Sequence, residues 1–253
     1  MKTNTWFLIR ELAWTDFKLR YNSLVLGYFW SLLHPLLIFG VFYLVFSVFV
    51  KIEGVPHYRL YLLLGIILWN YFAESTTSGM QSMQFKAGLI SNICVPKGII
   101  LVASNFTSLL TLFLNLCVLA VFFAASSGKP AAAGGLFLLI LFELVVLSFA
   151  VSLLLSSFYL KFRDLSHLWG VALQIGFWLT PIIYPVRLIP DRLRWLFLLN
   201  PLARIIQDAR SALLGLEAPS PRHHLVSLAM VAVSLALGIA VFARRSARFA
   251  EEI

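Results

Sequence analysis

Residues 28–50 read YFWSLLHPLLIFGVFYLVFSVFV, a run without an aspartate, glutamate, lysine or arginine. At about 1.5 Å per residue, a helix of this length crosses the roughly 30 Å hydrocarbon core of a bilayer. The whole chain carries the same bias. Of its 253 residues 60% are hydrophobic and 12% charged, against about 45–50% and 25% in soluble domains, and the mean hydropathy is +0.90. A particle of 28.5 kDa with so few polar groups cannot cover its own surface, so lipid must cover the remainder. The sequence therefore predicts an integral membrane protein.

Further charge-poor runs occupy 60–78, broken only by Glu74; 98–126; 134–160, broken only by Glu143; 165–184; and 225–243. With 28–50 they make six spans of an all-α membrane fold. Ahead of them, residues 4–24 put Glu11, Thr15, Lys18 and Asn22 on one side and Trp6, Ile9, Ala13, Phe17 and Leu24 on the other. That is the pattern of an amphipathic helix in the membrane interface, with Asp16 and Arg20 spaced as an i,i+4 pair. Pro181 and Pro185 close the fifth span, because proline lacks the donor N–H and clashes with the preceding turn. Beyond it, 186–222 mixes Pro190, Pro201, Pro219 and Pro221 with apolar clusters around Trp195 and Ile205 that are too short to cross. Two short re-entrant helices joined near Asn200 and Pro201 fit this stretch, provided protein or water satisfies their ends. The chain thus reads as one transmembrane domain, 1–253: interface helix 1–27, spans one to five over 28–184, an outward-facing re-entrant segment 185–222, and span six with its tail over 223–253.

The net charge is +9, from 20 Lys+Arg against 11 Asp+Glu. The basic residues come singly or in pairs between apolar runs and form no stripe for a phosphate backbone, so the excess speaks for topology and anionic lipid, with no nucleic acid as partner. With the N-terminus in the cytoplasm, inside segments carry Lys2, Arg10, Lys18, Arg20, Lys86, Lys97, Lys161, Arg163, Arg244, Arg245 and Arg248. The short outside loops carry only Lys51, Arg59 and Lys129. Both termini are expected in the cytoplasm, and the N-terminus lacks the form of a cleaved signal peptide. Cys94 and Cys117 have no metal-ligand or disulfide spacing and are expected as free thiols.

Enzymatic signatures are missing: the sequence has no G-x-x-x-x-G-K-[ST], H-E-x-x-H or G-x-S-x-G. No catalytic residue and no metal site is predicted. Glu74 and Glu143, carboxylates inside spans, are costly there; either they are protonated or hydrogen-bonded within the bundle, or they act as relays. His223 and His224 read as loop residues. Trp6, Trp14, Trp30 and Trp69 suit interface anchors. Tyr28, Phe177, Trp178 and Tyr184 lie near span ends, where flat rings can stack on the apolar faces of sugars along a path. For Tyr184 that role needs the ring and not the hydroxyl.

Several blocks carry a resemblance. Asp16-x-Lys18-x-Arg20-Tyr21, Leu26-Gly27-x-x-Trp30 and Pro35 are followed by Gly65, Trp69, Phe72, Leu89-Ile90 and Pro96-Lys97. Then come Phe162-Arg163-Asp164, Gln174, the run from Phe177 through Thr180-Pro181 to Tyr184-Pro185, and Asn200-Pro201. In this order, over nearly the whole chain, they resemble the membrane-spanning permeases of type-2 ABC polysaccharide exporters, the Wzm and TagG kind. The resemblance implies six spans, an amphipathic N-terminal helix, two re-entrant helices after span five, and a homodimer paired with two copies of a separate ABC ATPase subunit. It implies a bacterial inner-membrane protein that binds no cofactor itself, with ATP and Mg on the partner. The implied substrate is a polysaccharide of the O-antigen kind on a polyprenyl pyrophosphate carrier, with teichoic acid as the close alternative. Lys86, Pro96, Lys97, Arg163 and Asp164 then face the ATPase, and Asp16, Lys18, Arg20 and Tyr21 meet the interface or the carrier head group. Two other classes remain open on the residues alone: a proton-coupled carrier using Glu74 and Glu143, and an enzyme acting on polyprenyl phosphates.

Overall fold

The computed structural model describes residues 5–22, 27, 29–51, 54–85, 97–126, 134–215 and 221–246. Regular structure among them is helical throughout: α1 (Thr5–Asn22), α2 (Phe29–Tyr43) continued as a π-helical stretch over Leu44–Phe49, α3 (Tyr58–Phe85), α4 (Lys97–Ala125) and α5 (Gly134–Tyr159). Then follow α6 (Leu165–Leu179), a 3₁₀ turn at Val186–Leu188, α7 (Asp191–Leu198), α8 (Pro201–Leu214) and α9 (Pro221–Ser246). Among the described residues four helices are long and apolar enough to cross a membrane: Phe29–Phe49, Lys97–Ala125, Gly135–Tyr159 and Arg222–Ser246. α3 is longer than most but more polar, and α6 is apolar but has only 15 residues.

α3 is the axis of the bundle, packed by α2, α4, α5, α6 and α8, with Leu60 to Trp69 buried without interruption. Its continuation to Phe85 departs from the expected end at 78. Met80, Ser82 and Met83 are buried, and Met83 joins Ile100, Leu101 and Leu153 in a second small core, so packing keeps this polar stretch helical. Lipid supplies no hydrophobic drive between helices, and the close approaches here use small and polar groups instead. Ser148, Ser152 and Ser156, at spacings of four along α5, are fully buried. The Ser152 hydroxyl donates to Ser75 O at 3.2 Å, and the Ser75 hydroxyl to Asn105 Oδ1 at 2.6 Å. A Cβ at Gly79 would lie 2.5 Å from Ser152 Oγ, and one at Gly238 2.7 Å from Ala150 O, so glycine sets both crossings.

α1 lies against α4 through buried Ala13 and Phe17, and the Thr107 hydroxyl donates to Ala13 O at 3.2 Å. Glu11 and Lys18 face outward, as the two-sided pattern requires. Trp6, Trp14 and Trp30 are exposed, in keeping with anchoring; Trp69 is buried at 7% exposure, which removes it from that group. Span five was expected to reach residue 184, but α6 stops at Leu179, because Thr180, the residue before Pro181, takes the extended backbone that proline imposes on its predecessor, with ψ 133°. The junction expected near Asn200 and Pro201 separates α7 from α8. Cys117 is a free, exposed thiol, while Cys94 lies outside the described residues.

Candidate functional site

The end of α6 is where the backbone leaves helix inside an apolar bundle, and loose carbonyls there need donors. Every one from Pro181 to Tyr184 has one. Pro181 O accepts from Arg210 Nη1 at 2.6 Å and from Gln207 Nε2 at 3.5 Å, and Ile182 O accepts from Arg210 Nη2 at 2.6 Å. Ile183 O accepts from the Tyr58 hydroxyl at 2.9 Å, and Tyr184 O from the Tyr61 hydroxyl at 3.2 Å. Thr180 Oγ1 accepts from Asn200 Nδ2 at 3.1 Å, and the other side of the same carboxamide caps α8, its Oδ1 accepting from Leu202 N and Ala203 N. Asn200 thus closes two helix ends at once, with Pro201 in the first helical position, where its missing N–H costs nothing.

Arg210 is fully buried and pairs with no carboxylate among the described residues. Its Nε donates to Tyr61 O at 3.2 Å and its guanidinium lies 3.5 Å over the Tyr61 ring, so its charge is met by carbonyl dipoles and a π face. A Cβ at Gly65 would come within 2.3 Å of Arg210 Nη2, which gives that glycine a physical reason.

Against this break stands a row of rings. Phe177 stacks on Phe42 at 5.5 Å and meets Trp69 and Trp178 edge-on at 5.7 and 5.8 Å. Trp69 leads to Phe72 at 6.1 Å and Phe72 to Trp169 at 6.3 Å, whose Nε1 donates to Thr76 Oγ1. On its far side α6 is bare: Leu168, Val171, Ile175, Trp178 and Leu179 are each more than half exposed. Of the path residues, Phe177, Trp178 and Tyr184 gather here, and Tyr28 lies outside the described residues. The Tyr184 hydroxyl donates to Trp178 O at 2.7 Å, latching the break to the last turn of α6. The hydroxyl thus makes a contact of its own, beside the role expected for the ring.

At the opposite end, Lys97 Nζ donates to Ser246 O, and Arg245 lies 4.2 Å over the Phe158 ring, so the start of α4 and the ends of α5 and α9 meet. Arg163 and Asp164 are exposed in the turn just beyond, where Asp164 O accepts from His167 N at 3.0 Å and the Arg163 carbonyl from the Ser166 hydroxyl at 3.0 Å. Lys97 and this turn therefore share one face. Lys86 and Pro96 lie outside the described residues, as do the side chains of Arg20 and Tyr21 and with them the Asp16–Arg20 pair. Asp16 is half-buried and Lys18 exposed on α1.

Sequence reasoning missed a second cluster. His223 and His224 belong to the first turn of α9, not to a loop. His224 bridges two buried carboxylates, Nδ1 to Asp208 Oδ2 at 3.2 Å and Nε2 to Glu143 Oε1 at 3.2 Å. His223 Nε2 stands 3.7 Å from Asp208 Oδ1, and Arg204 Nη1 donates to His223 O at 3.3 Å. Burial pushes the Asp208 carboxyl up, against the pull of His224, His223 and Arg204. Glu143 thus ties α5 to α8 and α9, while Glu74 faces α4, accepting from the Thr111 hydroxyl at 3.4 Å. The two carboxylates have no partner in common among these contacts.

The profile of the ABC-2 type transporter family matches residues 8–214, from α1 through α8. The chain belongs to that family. As an ABC-2 permease it is a multi-pass membrane protein and a transport subunit, whose ATP hydrolysis resides on a separate ABC ATPase partner. Curated relatives span the same length: an O-antigen export system permease protein of Klebsiella pneumoniae is 29% identical, over 93% of this chain and 91% of the relative. One of Myxococcus xanthus under the same name is 25% identical, over 97% and 95%.

Proposed function

We propose that this permease exports a polysaccharide of the O-antigen kind, carried on polyprenyl pyrophosphate, from the cytoplasm across the bacterial inner membrane. The observation on this chain that supports the reading is the ring of Trp178, more than half exposed, with Tyr184 beside it at the secured break at 180–185, while Trp69 and Phe72 behind them belong to the core. Rings hold each sugar by its apolar face without fixed hydrogen-bond partners, so a repetitive polymer advances without stalling in one register. The names of relatives that align over nearly the full length support the same substrate class. In this reading α2 with its π stretch, α3, α4, α5, α6 and α9 are the six spans, α7 and α8 are re-entrant from the outer face, and both termini are cytoplasmic. The bare apolar faces of α2 and α6 meet a second copy, and the dimer engages two ATPase subunits at Lys97 and the 161–164 turn. ATP and Mg are bound by those subunits, and this chain binds no cofactor.

The test is reconstitution of the permease with its ATPase subunit in proteoliposomes loaded with polyprenyl-pyrophosphate-linked oligosaccharide. ATP-dependent appearance of the glycan on the far leaflet, read by lectin or periodate, is expected. Movement of a polyol-phosphate polymer instead would transfer the assignment to teichoic acid, and movement of neither would overturn it.

A further inference from the structure

α3 has two working faces. Trp69, Phe72 and Thr76 meet α6, whereas Asn70, Tyr71 and Glu74 turn toward a cleft of about 410 Å³ that Trp30 and His34 of α2 and Thr111 and Asn115 of α4 complete. That volume falls in the range of small-molecule sites, about 300–1,000 Å³. Inside the helical bundle a carboxylate, two carboxamides, an imidazole and hydroxyls are expensive, and a purely structural cluster would satisfy itself. This one does so only in part. Asn115 Nδ2 donates to Thr111 O at 2.9 Å and the Thr111 hydroxyl to Glu74 Oε1 at 3.4 Å. Asn70 Nδ2, buried in the wall, has no hydrogen-bond partner among the described residues. Among the described residues the lining has no lysine or arginine, so a pyrophosphate would meet the repulsion of Glu74 without a cation from them. What suits the cleft is an uncharged polyol. Vicinal hydroxyls donate to a carboxylate and exchange bonds with carboxamides, and the half-exposed Trp30 indole offers a face to C–H groups.

We infer that the α2–α3–α4 cleft binds a neutral sugar unit, apart from the ring row at the end of α6. The inference takes the source of that sugar from the export reading above, the cleft serving as a sorting site that senses glycan and not pyrophosphate.

The permease–ATPase complex in lipid nanodiscs would be titrated with three probes: polyprenyl-pyrophosphate-linked oligosaccharide, bare polyprenyl pyrophosphate and the free oligosaccharide. Glu74→Gln and the near-isosteric Thr111→Val are expected to bind the glycosylated carrier at least tenfold more weakly, with bare carrier unaffected and basal ATP hydrolysis and melting temperature at wild-type values. Parallel weakening toward the free oligosaccharide identifies the sugar alone as the ligand; weakening confined to the linked form identifies the sugar as presented on its carrier. Unchanged affinity of both variants for all glycans, with wild type binding them, overturns the cleft and leaves the export reading standing. Equal weakening toward bare carrier overturns the sugar assignment. Wild-type failure to bind any glycan overturns both.

Discussion

Arg210 solves at one position the problem that Pro181 creates 29 residues earlier. Replacing it with methionine fills the space but abandons two carbonyls that have no other charged donor. A buried unsatisfied group costs about 1–3 kcal/mol, so Arg210→Met is expected to lower the melting temperature of the purified permease markedly. Arg210→Lys, a point charge without the fork, should fall in between. Equal melting temperatures for all three would show that the break does not depend on this side chain. Tyr184 makes a finer distinction. Tyr184→Ala loses ring and latch and should impair export and leak small solutes; Tyr184→Phe keeps the ring, loses one hydrogen bond to Trp178 O, and should leak while exporting. An intact permeability barrier in Tyr184→Ala would leave the residue only an anchoring role. The place of Tyr184 was legible because two prolines frame it. Arg210 was not, since an arginine in a mixed helix reads as a topology signal and nothing local reveals that Tyr61 and Ile182 come to it across more than a hundred residues of chain and across 28.

Among the elements, α9 is held to α5 and α8 at its first turn by His224 between Glu143 and Asp208. Removing the imidazole leaves two buried carboxylates without their shared partner, so His224→Leu should destabilise strongly, while His224→Leu with Glu143→Leu should recover part of the loss. A double-mutant cycle on thermal or denaturant unfolding is expected to give a coupling of about 1 kcal/mol or more. Additivity would mean that the bridge contributes nothing. Glu143 was visible in sequence as an in-span acid, yet its partner was not, because two adjacent histidines after a proline-rich stretch look like loop. At the other end of the bundle, Arg163→Ala and Asp164→Ala should reduce export while the complex still assembles and inserts. Normal export by both would remove this turn from the coupling surface. The four helices long and apolar enough to cross were read to within a few residues, because composition alone decides them. The errors came at α3 and α6, where buried polar packing lengthened one helix and a proline shortened the other.

For the whole molecule, the family assignment separates movement from fuel. The purified chain should hydrolyse no ATP and a separate ATPase should copurify with it; nucleotide hydrolysis by the chain free of any partner would contradict the division. Composition announced the lipid environment, and the order of motifs announced the family. Neither could announce that the interior would be organised about α3, which is not among the four helices apolar enough to cross, because its Ser75 and Gly79 serve close packing against α5 and not solvent.

The knot at the end of α6 also has a mechanical meaning. Fifteen helical residues make a strut of about 22 Å, bare along one flank and joined at its first residue to the turn that carries Arg163 and Asp164. Its last turn is lashed by Tyr58 and Tyr61 to one neighbour and by Asn200, Gln207 and Arg210 to another. A thrust delivered at the first end therefore has two outlets: it parts those lashings, or it drags α3 and α8 along with the strut as one linkage.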